Sequence, residues 1–147
     1  MNQLLWIFLA LAAGSALPIQ GGINSKLGNT LASPLYAALI SFSIGATGLL
    51  AYCLATRQGV TFEGLKQLPL GYWMGGLLGA AYVTIVIMVF PRLGPGFTFS
   101  LVVAGQMMIA LLLDHFNLLV AEPHPISIGR IAGVFCIVAG VVLMKQF

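Results

Sequence analysis

The 147-residue chain is 60% hydrophobic and only 6% charged, with a mean hydropathy of +1.06 and a formal net charge of +3. A soluble domain carries roughly a quarter charged residues, so this composition excludes a water-coated globular domain and indicates an integral membrane protein. Six bases against three acids are too slight an excess to engage nucleic acid, but they suit a chain bordered by anionic membrane lipid.

A spanning helix needs about 20 apolar residues, so the length accommodates five with short turns. The expected architecture is one all-α transmembrane domain over residues 1–147, with no soluble domain beside it. Helix 1 is expected over residues 3–27. Gly14-Ser15-Ala16 has the small residues of a signal-peptidase site, but Met1-Asn2-Gln3 carries no Lys or Arg and apolar character resumes beyond, so the segment reads as a retained span.

The end of that span is unusual. Pro18 cannot donate a backbone hydrogen bond, and Gly21 and Gly22 loosen the next turn. Gln20 and Asn24 are four residues apart and share a helix face. Neither amide should face lipid, where an unpaired polar group is costly. Three readings remain: the amides line a polar cavity, they bond across a helix interface, or they lie near the headgroups.

Helix 2 is expected over 33–56, with Ser33 as N-cap and Pro34 in the first turn. Residues 57–69, RQGVTFEGLKQLP, form the longest polar connection. Helix 3 is expected over 70–90 and carries Gly71, Gly75 and Gly79 at four-residue spacing, a pattern suited to close helix contact. Ala37, Ser41 and Gly45 repeat that spacing on helix 2. Tyr72 and Trp73 suit an interfacial aromatic belt, whereas Tyr82 lies deeper and its hydroxyl needs a partner.

PRLGPG, residues 91–96, reads as a turn built from helix breakers. Helix 4 is expected over 97–118, with Gln106 near its middle, where substrate sites of two-repeat transporters lie. Asp114 falls near the membrane surface at the unfavourable end of the helix dipole. An interfacial ion pair with Arg130 is the favoured reading over a proton-coupling site. His115 and His124, with Glu122 and prolines between them, are read as loop residues, and no metal is expected. Helix 5, over 126–144, carries Gly129, Gly133 and Gly140. Cys53 and Cys136 fall within apolar runs and are read as small packing residues. There is no convincing internal repeat, nucleophile–base pair, phosphate loop or ligand cluster, so neither an enzyme nor a cofactor is expected.

PIQGGINSKLG in helix 1, GQMMIALLLDHF in helix 4 and GVFCIVAGVVLM in helix 5, with PRLGPG between helices 3 and 4, together resemble the YdcZ-like family. This is the five-helix, half-length branch of the drug/metabolite transporter superfamily. The likeness covers essentially the whole chain. Asn117 departs from the family pattern, which has glycine after DHF. The resemblance implies a multi-pass bacterial inner-membrane protein, a transporter-like fold and an antiparallel pair equivalent to fused ten-helix relatives. The chain has no membrane-buried glutamate in helix 1 like that of the four-helix multidrug branch, so carboxylate-centred proton exchange does not carry over.

The functional expectation is a homodimeric transporter subunit that moves a small polar or amphipathic solute by alternating access. Gln20, Asn24, Tyr82 and Gln106 would line the pathway. The alternatives are a passive dual-topology channel and a non-transporting membrane assembly partner.

Five spans place the termini on opposite sides of the membrane. Arg57, Lys66 and Arg130 then share the N-terminal side, with Lys26, Arg92 and Lys145 on the other, three against three. Orientation is set mainly by Lys and Arg bias in short loops, and here there is none. Reporter fusions at the C-terminus should therefore be active on both sides of the membrane, with two lysines added near Lys145 shifting the balance. A wild-type C-terminus confined to one side would rule out dual insertion.

Overall fold

A computed structural model describes residues 2–61, 63–65, 68–120 and 124–146. Lys66, which enters the charge count, and Glu122, between the two histidines, lie outside the described residues. The chain forms α1 (Gln3–Thr30), α2 (Pro34–Ala55), α3 (Met74–Leu93), α4 (Pro95–His115) and α5 (Ile128–Gln146), with a 3₁₀ turn, Leu70–Trp73, leading into α3. All five spans are long and apolar enough to cross a membrane. The chain divides into two compact units, Met1–Arg92 with α1 to α3 and Leu93–Phe147 with α4 and α5.

The helix ends obey backbone chemistry that composition hides. After α1, Ala32 takes a left-handed φ of +50°. There the Ser33 amide donates to the Gly28 carbonyl at 3.0 Å and the Ala32 amide to Asn29 at 3.3 Å. This is a Schellman closure. The same pair of bonds ends α2, where Arg57 has φ +50° and Gln58 and Arg57 donate to Cys53 and Leu54. It also ends α4, where Asn117 has φ +52° and Leu118 and Asn117 donate to Leu113 and Asp114. Glycine is the easiest occupant of such a position and asparagine the next. Asn117 therefore meets the same backbone demand as the glycine that is usual after DHF, and α4 stops at His115.

Several helix ends shift from expectation, among them the end of α1, the α3–α4 junction, the end of α4 and both ends of α5. α1 continues through Gly28 to Thr30, and Gly28 is a packing residue there. It is buried, and a Cβ there would lie 2.7 Å from Ile87 Cγ2 and 3.6 Å from Ala37 Cβ. The helix also passes through Pro18 without interruption. At the PRLGPG segment, α3 runs through Pro91 to Leu93 and α4 begins at Pro95. The turn shrinks to Gly94, whose φ of +77° suits glycine. Pro95 takes the first helical position, where its missing N–H costs nothing. At α2 the cap is as expected, with the Tyr36 amide donating to Ser33 Oγ at 3.4 Å.

Within the first unit α1 packs along α2. The buried face of α1 is Gly21, Asn24, Ser25 and Gly28; Gly28 lies against Ala37 of α2 and Asn24 bonds Ser41. Small side chains let the two backbones approach, which is what drives helix association where lipid tails offer no hydrophobic gain. Ala37, Ala38, Val83 and Ile87 form the core, with Leu27 and Tyr82 against it. Most other large apolar residues are exposed, as suits a surface solvated by acyl chains.

In the second unit α4 packs along α5. A Cβ on Gly96 would come within 3.3 Å of Met144 Cε. One turn on, the Ser100 hydroxyl donates to the Gly96 carbonyl at 2.7 Å and lies against the Met144 sulfur. Ala104, one turn further, is buried.

The glycine ladders behave differently. Gly71 sits in the 3₁₀ turn, so it does not continue an α-helical ridge with Gly75 and Gly79. A Cβ on Gly79 would lie 3.4 Å from the Phe42 ring, whereas one on Gly71, Gly75, Gly129, Gly133 or Gly140 would meet open space. Cys53 and Cys136 are exposed rather than packed inside, a correction to their reading as packing residues.

Gly28→Ala should therefore destabilise the purified protein by about 1–3 kcal/mol, the usual cost of overpacking, because the branched Ile87 side chain cannot swing away. Gly14→Ala, with open space around it, should be tolerated. Ala32→Gly should stabilise by about 1 kcal/mol or less, since relief of left-handed strain outweighs the entropy glycine adds to the unfolded chain. Thermal denaturation in detergent reads all three, and equal melting of Gly28→Ala and Gly14→Ala would refute the assigned contact.

Candidate functional site

The polar residues of α1 have different fates. Asn24 is 4% exposed, and its Nδ2 donates to Ser41 Oγ at 3.0 Å. Sequence spacing places Ser41 in a small-residue row but does not predict this bond. Gln20, one turn earlier, is exposed. Both residues nevertheless border the same two hollows. One is an open groove of about 400 Å³ between α1 and α2, floored by Asn24 and Ser41 and otherwise almost wholly apolar. The other is a cavity of about 10 Å³ between α1 and α3, bordered by Gln20, Asn24 and Tyr82. Asn24 thus joins two helices and lines a hollow at once, because one side-chain amide has more hydrogen-bonding valences than Ser41 can fill.

Tyr82 comes from the third helix of the same unit. Its hydroxyl is buried and has no hydrogen-bond partner among the described residues. Buried hydroxyls normally have one. The small cavity that the Tyr82 side chain helps line is about the size of a single water.

Gln106 belongs to the second unit, exposed on α4, and no hydrogen bond to its side chain occurs among the described residues. Thr98, near the start of α4, is 2% exposed with its hydroxyl unpartnered among the described residues. Sequence reading passes over it, since a threonine in a helix usually returns its hydroxyl to a carbonyl of the preceding turn, as Thr30, Thr47 and Thr84 do here.

The second unit also holds its one described salt bridge. Arg130 Nη2 lies 2.5 Å from Asp114 Oδ2, while Nη1 donates to the His124 carbonyl at 2.6 Å. The Arg130 amide donates to Ser127 Oγ at 3.3 Å. One guanidinium therefore ties the last turn of α4 to the segment that opens α5. His115 stacks edge-on against Phe116 at 5.0 Å. Among the described residues no group of three metal-ligating side chains occurs.

The family described as "Putative inner membrane exporter, YdcZ" matches residues 5–143. The chain is also 29% identical over 148 residues to "Inner membrane protein YdcZ" of Escherichia coli (strain K12), an alignment covering 99% of this chain and 98% of that protein. No solved structure matches it. The family description speaks of export rather than catalysis, in keeping with five spans and a site of amides and hydroxyls. The chain is a multi-pass inner-membrane protein and belongs to the YdcZ family of the drug/metabolite transporter superfamily.

Proposed function

We propose that the chain is one subunit of a small-molecule exporter, working by alternating access as an antiparallel homodimer, with Gln20, Asn24, Tyr82 and Gln106 on the solute pathway. One observation carries the reading. Gln20 and Gln106 are exposed amides deep within apolar spans, and neither side chain has a hydrogen-bond partner among the described residues. Gln20 lies ten residues, about 15 Å, from the end of α1, and Gln106 lies about 16 Å from the start of α4. Moving an amide from water into a medium that cannot hydrogen-bond costs about 4–8 kcal/mol. Surfaces bearing such groups are therefore covered by water or by protein in the assembled state.

The balanced loop charges support a two-way insertion that supplies an inverted partner. Inverted repeats with a site near the bilayer midplane are a recurring transporter architecture. The open backbone faces at Gly75, Gly129 and Gly133 are suited to receive the second copy, because glycine allows helices to approach closely.

Cysteine accessibility tests this. With Cys53 and Cys136 replaced, cysteines at Gln20 and Gln106 should react with small membrane-impermeant thiol reagents, while one at Leu9 should not. Unreactive cysteines at both glutamine positions would remove the aqueous pathway. In reconstituted vesicles a carrier should saturate and show counter-flow, whereas unsaturable flux would instead identify a channel.

A further inference from the structure

Three helix ends meet at one corner of the first unit. α1 stops at Thr30, α2 starts at Pro34, and α3 ends just past Arg92. The pocket there holds about 320 Å³, and Gly28, Asn29, Pro34, Ile87, Pro91 and Arg92 are among the residues that line it. Unlike the groove between α1 and α2, its lining is more polar than apolar. Helix ends of this kind lie where spans leave the hydrocarbon core, at the level of the lipid headgroups.

Hydrogen bonding at this corner uses up acceptors and leaves donors spare. The carbonyls of Leu27, Gly28 and Asn29 accept from the amides of Leu31, Ser33 and Ala32. The Lys26 carbonyl accepts from the Thr30 hydroxyl, and the Met88 carbonyl from Arg92 Nη1 at 3.1 Å. That is one bond from a guanidinium with five N–H donors. Among the described residues Arg92 has no ion pair and no further hydrogen bond, and the Asn29 side-chain amide has no partner.

Charge leans the same way. The acids Glu63, Asp114 and Glu122 all fall at the α2–α3 and α4–α5 connections. Successive spans alternate in direction, so Lys26 and Arg92 share the opposite face of the membrane. No acidic side chain is placed there to neutralise them. The backbone around the pocket is also fixed in advance. Pro34 and Pro91 lock their own φ angles, and the Schellman bonds hold the chain from Gly28 to Ser33. A site that needs little ordering loses less free energy on binding.

We propose that this pocket binds a phosphate group at the membrane surface, with the Arg92 guanidinium and the Asn29 side-chain amide as its donors. A planar guanidinium can bond two phosphate oxygens at once, and such charge-assisted bonds are roughly twice as strong as neutral ones. The phosphate is borne by a phospholipid headgroup or is free in the adjoining water. At headgroup depth an anion keeps its contact with water and escapes the desolvation cost of a buried charge. The inference goes beyond the transport reading and does not depend on it.

The test is native mass spectrometry of the purified full-length chain in a neutral detergent. It is titrated with phosphatidylglycerol, with diacylglycerol of the same acyl chains, and with inorganic phosphate as competitor. One phosphatidylglycerol should bind saturably, at least ~10-fold tighter than diacylglycerol, as charge-assisted bonds imply. Arg92→Gln should weaken that binding about fivefold to tenfold, and Asn29→Ala about twofold to fivefold, allowing for exposure to water. Arg92→Lys keeps the charge but loses the fork, so it should recover only part of the loss. Lys26→Gln removes a cation from the same face that does not line the pocket, and should change affinity less than about twofold. Arg92 bonds only within its own helix, so Arg92→Gln should melt like wild type when no lipid is added. Displacement by millimolar inorganic phosphate would identify a site for free phosphate, and failure to displace would identify a headgroup site. The phosphate assignment stands in both cases. Equal binding of diacylglycerol would identify a cleft for lipid tails and overturn the proposal. So would unchanged affinity in Arg92→Gln, or an equal loss in Lys26→Gln, which would show a diffuse effect of charge.

Discussion

The structure depends first on how closely α1 and α2 can approach in a medium that gives apolar side chains no reason to meet. A Cβ on Gly28 would touch Ala37 of α2 at 3.6 Å and meet Ile87 of α3 at 2.7 Å, so glycine and alanine let the α1 and α2 backbones come close while α3 packs over the same glycine. At that distance Asn24 reaches Ser41 at 3.0 Å, and a short Schellman-closed connection holds the pair together. The order of cause is packing first and hydrogen bond second. An intramembrane polar contact contributes only about 0.6 kcal/mol on average, too little to bring helices together against poor packing but enough to fix their register.

The same closeness limits which polar groups can be satisfied within the chain. Asn24 finds Ser41, and Arg130 finds Asp114. Gln20, Gln106 and the Tyr82 hydroxyl are left with unfilled valences among the described residues, as is Thr98. In water such groups would need no explanation. In a bilayer each must be met by water, solute or another chain. Gln20 and Tyr82 border one small cavity between α1 and α3. The Asp114–Arg130 pair, with its donors directed toward α4 and the His124 carbonyl, joins helix ends instead.

Much of the fold is legible in the sequence, and the exceptions have definite causes. Hydropathy locates all five spans because a bilayer demands about 20 apolar residues of each. The YdcZ motifs identify the family. The end of α1 lies three residues beyond the sequence reading, because the helix runs on through Gly28, which packs against Ile87, to a Schellman closure at Ala32. PRLGPG looks like a six-residue turn because two prolines flank a glycine. In space Pro91 is carried by α3, Pro95 starts α4, and Gly94 alone turns the chain. The small-residue spacing of Gly71, Gly75 and Gly79 is visible, but spacing does not say which face meets a neighbour. Gly96, Ser100 and Ala104 on α4 have the same four-residue spacing, and the first two do meet Met144 of α5.

Composition, span length and the order of motifs are properties of the chain taken one segment at a time. They determined that this is a five-span membrane protein of the YdcZ family, with amides at membrane depth. Which polar group pairs with which depends on distances between segments, and those arise only when helices dock. Tertiary structure alone therefore decided that Asn24 bonds Ser41, that Gln20 stays open, and that the Tyr82 hydroxyl is buried without a partner among the described residues. A side-chain amide has the same valences wherever it lies, and only its neighbours determine whether they are filled.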